Sequence, residues 1–423
     1  MNQRPPHEPS RRFPQPQRLW DDPTRNAASL GCPTCQERGQ CGGVHTDAGV
    51  LDCRDLCSCQ DKSKCDMVCR FNPRLFVARM REVGWLSFDT APRVPAHGAP
   101  SMPMVAPFVD HRYGRAATLD EPVVALSLYE VVNLATGKVH VSSREELAAR
   151  FLIPHGATVI LSGVDKDGPI ESWWELRDRP AILAALAKLG IALVTAPNYS
   201  VLTDVPRADN LHAMKRILLA WTEMMAAGLP SALHLNARTE YDYIRWASLI
   251  AQRPEIEILA FEFATGCGRG ERIDWHVAQL CALAGRIERP LALVIRGGGR
   301  KLHELRRHFA QVSLIETDAF AKTLRRRRAY MTESGRLKWA KFPTPVGAPI
   351  DELLAHNIAL TRSAYEAQTE PVPLLRLATN LSRRAPHRDR ETIQASLLSE
   401  LDLTGETRSV APQPHGVVAA AKP

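Results

Sequence analysis

Short apolar runs recur along the middle of this chain, and each is separated from the next by a stretch long enough for an amphipathic helix. Seven such runs begin at intervals of about 31 residues, the signal expected of strands that alternate with helices. They span residues 123–129, 158–163, 191–196, 231–235, 256–263, 291–295 and 312–315. Nearly continuous apolar runs are typical of strands covered on both faces. Strands joined by helices form right-handed βαβ units, so the repeat predicts an α/β fold built on a parallel sheet.

The length of the repeating region favours one of the two architectures that such units form. A body of roughly 250 residues, at 120–370, matches the size of a (β/α)8-type barrel. An eighth strand is expected either at 104–109, before the first run, or at 337–342, with a helix at 351–365 after it. An open doubly wound sheet is the alternative, although the chain lacks the glycine fingerprint of a dinucleotide-binding sheet.

A second constraint comes from the cysteines, eight of which lie between residues 32 and 69. They are Cys32, Cys35, Cys41, Cys53, Cys57, Cys59, Cys65 and Cys69. Cysteines separated by two to four residues place two thiolates on one metal ion without straining the turn between them. The sequence contains no secretory segment, so we expect these thiols to stay reduced and to bind metal instead of forming disulfides.

Eight thiolates match two sites of four ligands each. We expect two zinc ions in closed tetrahedral thiolate shells, with iron–sulfur clusters as the alternative because four thiolates also bind those. Residues 30–69 include few large apolar side chains, so bound metal would supply much of the folding energy there. The segment is therefore predicted to be a structural metal-binding module.

Composition divides the chain into five segments. We predict a disordered Pro- and Arg-rich tail at 1–28, the Cys-rich module at 29–90, a Pro-rich linker at 91–119, the barrel at 120–370 and a mostly mobile tail at 371–423. No apolar stretch approaches the roughly 18 residues that a membrane helix needs. The first twenty residues lack the apolar core of a signal peptide. These features predict a cytoplasmic protein without a membrane partner and leave its oligomeric state open.

Polar residues at the carboxyl ends of the predicted strands are the candidates for catalysis, because barrel active sites form where strands run into the following loops. His234 and Glu262 lie in consecutive apolar runs, where an inward-facing charge needs a partner. We predict that they pair as a base and its orienting group, with a buried structural pair as the alternative. Asp165 and Asp318 follow two other runs and would supply a nucleophile or a metal carboxylate, although helix caps also favour aspartate.

Neighbouring strand ends supply groups suited to an anionic substrate. The side chains predicted to bind it are Asn198, Asn236, Arg238 and Arg296. Gly297, Gly298 and Gly299 follow an apolar run and precede a helix, an order that presents backbone N–H groups to a phosphate. A tight turn explains these glycines equally well. Cys267 lies in another glycine-rich loop, where a cysteine is a nucleophile, a metal ligand or inert.

A run of basic residues near the end of the body points to an anionic partner. The chain has a net charge of +8, and the basic run is interleaved with Tyr330 and Trp339. The residues predicted to bind nucleic acid are Arg325, Arg326, Arg327, Arg328 and Lys338. Arginines that bind phosphates and aromatic rings that stack on bases are typical of nucleic-acid-binding grooves. A solvated helix end is the alternative for the four arginines.

Two short motifs stand out from the rest of the chain. One is Cys65-Asp-Met-Val-Cys69-Arg-Phe-Asn-Pro73, and the other is Ala196-Pro-Asn-Tyr-Ser200 followed by Asp204, Pro206 and Arg207. Together they resemble an uncharacterised bacterial family that is linked to plasmids, phages and other mobile elements. The resemblance spans residues 30–370 and implies a cytosolic bacterial protein with a DNA- or RNA-linked role. It implies no established reaction.

These features predict a metal-containing barrel enzyme that modifies or hydrolyses nucleic acid or a nucleotide-like substrate, with a structural Cys module. Two alternatives stay open. One is an iron–sulfur enzyme that uses the N-terminal cysteines, although the radical-type C-x3-C-x2-C spacing is missing. The other is a non-catalytic nucleic-acid-binding accessory protein of a mobile element, built on a barrel scaffold.

Overall fold

The computed structural model of this protein describes residues 82–202, 207–268 and 270–367. Eight parallel strands form one sheet, and their order around it is the order of the chain. They are β1 (Val105–Pro107), β2 (Val123–Ser127), β5 (Thr158–Ser162), β6 (Leu193–Thr195), β7 (Ser231–His234), β8 (Ile258–Glu262), β9 (Ala292–Arg296) and β10 (Gln311–Glu316). The short strands β3 (Val132–Asn133) and β4 (Lys138–Val139) form a separate antiparallel hairpin.

The two ends of the eight-stranded sheet meet, which makes it a nearly closed barrel-like sheet. Phe108, just after β1, forms a parallel bridge with Ala125 of β2. The backbone N–H of Val109 donates to the Ala125 carbonyl over 2.8 Å, and β1 pairs in parallel with β10 on its other side. A doubly wound sheet instead starts at its centre and keeps two open edges. The predicted α/β class and barrel-like sheet are therefore confirmed.

Helices follow most strands of this sheet and pack on its outer surface. They are α1 (Leu128–Val131), α2 (Arg144–Phe151), α3 (Asp167–Glu175), α4 (Arg179–Ala187), α5 (Arg207–Ala226), α6 (Glu240–Gln252), α7 (Arg272–Arg286), α8 (Leu302–Leu305), α9 (Asp318–Leu324) and α10 (Asp351–Ala367). The helix predicted at 351–365 is confirmed as α10. Polar caps start several of them: Ser143 caps α2, and Thr239 with Asp242 forms a reciprocal capping box on α6. Among the described residues, no helix is long and apolar enough to cross a membrane.

The eighth strand comes from the earlier of its two candidate segments. Residues 104–109 contain β1, whose Val105 lies opposite Leu314 of β10. Residues 337–342 instead contain β12 (Leu337–Lys341), which pairs antiparallel with β11 (Arg327–Met331) in a hairpin separate from the barrel sheet. A barrel strand at 337–342 is thus wrong, because these alternating polar residues suit a strand with one solvated face.

The barrel sheet begins earlier than the composition suggests. Strand β1 lies inside 91–119, the segment predicted to be a Pro-rich linker, because an apolar run follows its prolines directly. The predicted tail at 1–28, most of the Cys-rich module at 29–90 and the C-terminal tail at 371–423 lie outside the described residues.

Side chains inside the barrel form a compact apolar cluster. Its members are Ala106, Phe108, Ala125, Ile160, Leu193, Ala232, Ile258, Ala260, Val294 and Ile315. Alternate residues of the same strands pack against the helices in a larger outer cluster, where each fully buried large apolar side chain contributes about 1.5–3 kcal/mol. Because strand side chains alternate between faces, residues two positions beyond Ala232, Ala260 and Val294 also face inward. Those residues are His234, Glu262 and Arg296, so the apolar interior becomes polar at the carboxyl ends of the strands.

Candidate functional site

A cavity of about 660 Å³ opens at the carboxyl ends of β5 to β9. Six of the residues predicted from the sequence line it: Asp165, Asn198, Asn236, Arg238, Glu262 and Arg296. They follow or end five successive strands, so the fold brings together side chains that lie far apart in the chain. Active sites of parallel barrels form at this end of the strands. The cavity is therefore the candidate functional site.

Glu262 and Arg296 form an ion pair at the base of the cavity. Arg296 Nη1 donates to Glu262 Oε2 at 3.3 Å, and the backbone N–H of Ala264 donates to Oε1 at 2.6 Å. The Glu262 side chain is only 3% exposed, whereas that of Arg296 is 20% exposed. Arg296 also lies over the Phe108 ring, 5.2 Å from its centre, and its buried Nε has no hydrogen-bond partner among the described residues. Because the side chain is partly exposed and lines the cavity, the guanidinium is accessible to a ligand there.

Two opposing effects set the proton affinity of Glu262. Burial raises the pKa of Glu262, while the Arg296 guanidinium and the Ala264 N–H lower it by stabilising the carboxylate. Burial is the larger effect, so the pKa lies above its ordinary value. A carboxyl group whose pKa moves toward neutrality is suited to exchange a proton with a substrate.

His234 lies within the barrel and does not line the cavity. Its side chain is almost fully buried, and burial lowers the pKa of His234 to about 3, so the imidazole is neutral at physiological pH. Its Nδ1 has no hydrogen-bond partner in the described part of the chain. The partner of Glu262 is Arg296, in place of the histidine expected from the sequence.

Hydrogen bonds between loops fix the positions of the two asparagines that line the cavity, Asn198 and Asn236. Asn236 Nδ2 donates to Asn198 Oδ1 at 3.0 Å and to the Tyr199 carbonyl at 2.9 Å. Ser200 Oγ donates to Asp167 Oδ1 at 2.6 Å, which ties the loop after β6 to the start of α3. These bonds fix the two predicted asparagines relative to each other, so the wall that they form is pre-organised for a ligand.

Arg238 adds a second cation to the cavity lining, and Cys267 lies beside it. Arg238 Nη1 lies 3.5 Å from Cys267 Sγ, and the buried Nε of Arg238 has no hydrogen-bond partner within the described ranges. Burial raises the pKa of the Cys267 thiol, and the Arg238 charge opposes the rise. A neutral thiol is a weak nucleophile, so Arg238 is the stronger candidate for contact with a substrate.

Asp110 is a carboxyl group near the cavity lining that the sequence does not single out. It follows β1, and burial raises the pKa of its carboxyl group; His111, Asp165 and Arg296 are close enough to affect it as well. Asp165 and Arg296 both line the cavity, so Asp110 belongs to the same electrostatic environment. The sequence feature that could identify Asp110 is its position directly after the apolar run 104–109. The prolines around this run make it look like a linker instead of a strand.

The predicted catalytic residue Asp318 lies outside the lining of the cavity. It is exposed at the first position of α9. The neighbouring Glu316 is buried and accepts hydrogen bonds from the backbone N–H groups of Asp318, at 2.7 Å, and of Ala319, at 3.0 Å. Burial raises the pKa of Glu316 to about 7. Glu316 thus caps the start of α9, and Asp318 is an acidic residue in the first turn of that helix, where the helix dipole favours a carboxylate.

Aromatic side chains of the protein pack closely against the glycine loop that was predicted to bind phosphate. Gly297 and Gly298 have positive φ values of 72° and 69°, a conformation that favours glycine. A Cβ atom on Gly298 would lie 2.7 Å from the Phe263 ring, and one on Gly299 would lie 2.3 Å from the Tyr365 ring. The helix that follows, α8, has only four residues. Close packing therefore accounts for the three glycines, and the loop offers no helix N-terminal site.

The basic residues predicted to bind nucleic acid occupy a different part of the chain from the cavity lining. Arg325 is the C-cap residue directly after α9, and Arg327 and Arg328 belong to β11. Arg326 has a positive φ of 48° and donates to the Ala348 carbonyl at 2.9 Å, so it has a local structural role. Lys338 lies in β12 and is exposed.

Metal binding by the described residues has no support, since none of their His, Cys, Asp and Glu side chains form a group of three or more suited to an ion. The eight cysteines predicted to bind metal lie outside the described residues. Comparisons with protein families and with characterised proteins find no family model that matches the sequence and no similar characterised protein.

Proposed function

We propose that this protein is a cytoplasmic (β/α)8-type barrel enzyme that acts on a phosphate-bearing substrate, either nucleic acid or a nucleotide. The observation that carries the proposal is the convergence of two arginines and a buried carboxyl group on one cavity. Arg238 and Arg296 both have a buried Nε without a hydrogen-bond partner among the described residues, and Glu262 lies between their strands. Guanidinium groups suit phosphate oxygens, and a carboxyl group with a raised pKa suits proton transfer.

In this proposal Arg296 couples substrate binding to proton transfer. Its hydrogen bond to Glu262 is long, at 3.3 Å, so a phosphate group is able to compete for the guanidinium. Once the phosphate neutralises Arg296, the carboxylate of Glu262 loses its stabilising cation and its pKa rises further. Glu262 then accepts the proton of a water or hydroxyl group that attacks the phosphorus atom. The P–O bond to the leaving oxygen breaks, and that oxygen takes up a proton from Glu262 or from water. Asn198 and Asn236 orient the polar part of the substrate.

The predicted zinc ions belong to the same proposal as structural elements. Eight thiolates are a donor set that suits two tetrahedral zinc sites, and the same donors suit iron–sulfur clusters. Zinc would supply folding energy to the Cys-rich module, which would help to place the substrate. No proton-transfer step depends on it. The resemblance to a mobile-element family favours nucleic acid over a free nucleotide.

Metal analysis tests the predicted module. Protein purified without oxygen should be colourless and contain about two zinc ions per chain. Iron with acid-labile sulfide and visible absorbance would instead favour the iron–sulfur alternative. Protein that binds neither metal after supplementation would contradict both assignments of the cysteines.

The catalytic proposal is tested by the variant Glu262→Gln, with Glu288→Gln as a control on the surface. Full-length protein is incubated with single-stranded and duplex oligonucleotides and with nucleotides, and the products are identified by mass spectrometry. We expect turnover of one substrate class, reduced about 100-fold or more in Glu262→Gln, since removal of a general base has effects of that order. Full activity in a folded Glu262→Gln variant would refute the assigned role.

A second function, nucleic-acid binding without catalysis, is favoured by one separate observation. The hairpin of β11 and β12 is rich in basic residues and does not line the cavity. If the wild-type protein binds oligonucleotides and converts none of the substrates tested, this alternative replaces the enzyme proposal.

A further inference from the structure

We propose that the outer face of the β11–β12 hairpin binds single-stranded nucleic acid by base stacking and phosphate contacts. The outer face consists of Arg328, Tyr330, Lys338, Ala340 and Phe342. This inference rests on the proposed function, which supplies the substrate class. It deepens that proposal because it makes single-stranded nucleic acid, and not a free nucleotide, the substrate of the barrel site.

The hairpin is anchored along one edge. The Asn357 side chain of α10 accepts a hydrogen bond from the Ala329 N–H at 2.8 Å and donates to the Arg327 carbonyl at 2.9 Å. The His356 ring is hydrogen-bonded to the Ala329 carbonyl at 3.0 Å. Side chains of a helix thus take the place of a third strand, so the hairpin is held in a defined position.

Strand register separates an inner face from the outer face. Ala329 lies opposite Trp339, and Ala329 is buried. The residues that alternate with this pair point the other way: Tyr330 lies opposite Lys338, and Arg328 lies opposite Ala340. Phe342 extends the same face, since its N–H donates to the Arg326 carbonyl at 2.8 Å just beyond the strand pair. Of the two aromatics noted in the sequence, Tyr330 is therefore on the outer face and Trp339 is not.

The outer face combines exposed aromatic rings with cations. Tyr330 is 44% exposed and Phe342 is 38% exposed. The Arg328 guanidinium lies 5.3 Å from the centre of the Phe342 ring, and Lys338 is exposed beside Tyr330. A single exposed ring needs no explanation, but two rings and two cations on one two-stranded face match the surface that stacks on bases and binds phosphates.

The positive charge of the hairpin region favours an anionic partner. Residues 325–342 include seven basic residues and one acidic residue, Glu333. Unpaired bases expose their faces to aromatic rings, whereas the bases of a duplex are already stacked on each other. An anionic membrane would be attracted by the same charge, but it would gain no stacking energy from Tyr330. Single-stranded nucleic acid is therefore the partner favoured both by the positive charge and by the exposed aromatic rings of the outer face.

Binding of a fluorescent oligothymidylate of about 16 nucleotides, a length within the range of single-strand binding sites, tests the inference. We expect the double variant Tyr330→Ala/Phe342→Ala to bind it at least about 10-fold more weakly, because stacking on each ring contributes substantially to affinity. We expect Arg328→Gln/Lys338→Gln to reduce the slope of log Kd against log salt by about 1.4. Lys188→Gln/Arg286→Gln removes the same charge from two exposed helix ends and should leave binding unchanged.

Further outcomes separate this inference from the proposed function. A hairpin double variant that binds the strand like wild-type protein would overturn the inference, as would equal affinity for a duplex of the same length. Binding of phosphatidylserine vesicles without binding of the oligonucleotide would also overturn it and indicate a membrane surface. The surface variant Glu288→Gln should bind the strand normally. If hairpin variants lose strand binding while no substrate is turned over by wild-type protein, the hairpin inference stands and the enzyme proposal fails.

Discussion

Glu262 of β8 lies directly opposite Arg296 of β9 in the parallel register, and their side chains meet in an ion pair at 3.3 Å. Both residues face the barrel axis, where burial favours the neutral carboxylic acid and the arginine favours the carboxylate. The proton affinity of Glu262 therefore depends on whether Arg296 is free to interact with it. This relationship leads to the first of four predictions about the barrel.

Arg296→Gln should make the stability of the protein more sensitive to pH. Without the cation, the pKa of Glu262 rises further above its unfolded value. A carboxyl group with a raised pKa in the folded state contributes stability at low pH, which is lost as the pH rises through that pKa. The variant should therefore lose more stability than wild-type protein between about pH 4 and pH 8, by about 1–3 kcal/mol for a buried charge left unpaired. Urea unfolding across this range measures the difference, and parallel pH profiles of the two proteins would contradict the assigned pair.

His234→Asn should reduce the loss of stability in acid. Burial lowers the pKa of His234 to about 3, below its unfolded value of about 6.5. The neutral imidazole thus contributes stability above about pH 6.5, and this contribution is lost as the pH falls toward 3, by at most about 1.4 kcal/mol per pH unit. His276, whose pKa burial also lowers to about 3, adds a similar effect in both proteins. The difference in slope between wild-type protein and the variant isolates His234, and equal slopes would show that the imidazole is not buried as a neutral group.

Glu316→Gln should stabilise the protein at alkaline pH relative to wild type. The pKa of Glu316 is raised to about 7 by burial, above an unfolded value of about 4.3. Stability from the neutral carboxyl group is present in acid and is lost as the pH rises through 7. An amide never ionises, so the melting temperature of the variant should rise relative to that of wild-type protein between pH 5 and pH 8. The surface variant Glu288→Gln should show the wild-type profile. A variant that is less stable at pH 8 would mean that ionised Glu316 contributes more as a helix cap than its burial costs.

Arg238→Gln should shift the reactivity of the Cys267 thiol to higher pH. Burial raises the pKa of this thiol and the Arg238 charge partly offsets the rise, while only the thiolate reacts with iodoacetamide. Labelling as a function of pH, followed by peptide mapping, should give a higher midpoint for Cys267 in the variant. Cys281 is an internal control, because its pKa is raised to about 11 by burial and its charged neighbours are Glu304 and Lys301. A midpoint for Cys267 that stays unchanged would show that the arginine does not act on the sulfur.

The sequence was sufficient for the repeating strands and helices and for six polar residues of the cavity lining. Periodic apolar runs report burial on both faces, and a polar residue that interrupts such a run at its end is visible without a structure. Glu262 lies near the end of such a run, and Arg296, Asn198 and Asn236 follow the ends of three others, so the sequence predicts all four as site residues. The Cys-rich module and its metals remain predictions that lie outside the described residues.

Tertiary structure decided which of these residues meet. Glu262 pairs with Arg296 instead of His234 because strand register, which no local pattern reveals, places the arginine opposite the glutamate. Asp318 lies in the first turn of α9, outside the cavity lining, and close contacts with Ala264, Phe263 and Tyr365 account for the three glycines. The strand at 104–109 was hidden by its prolines, and its position was decided by pairing with β10. Local sequence determines which segments form strands and helices, whereas contacts between distant residues depend on how the barrel closes.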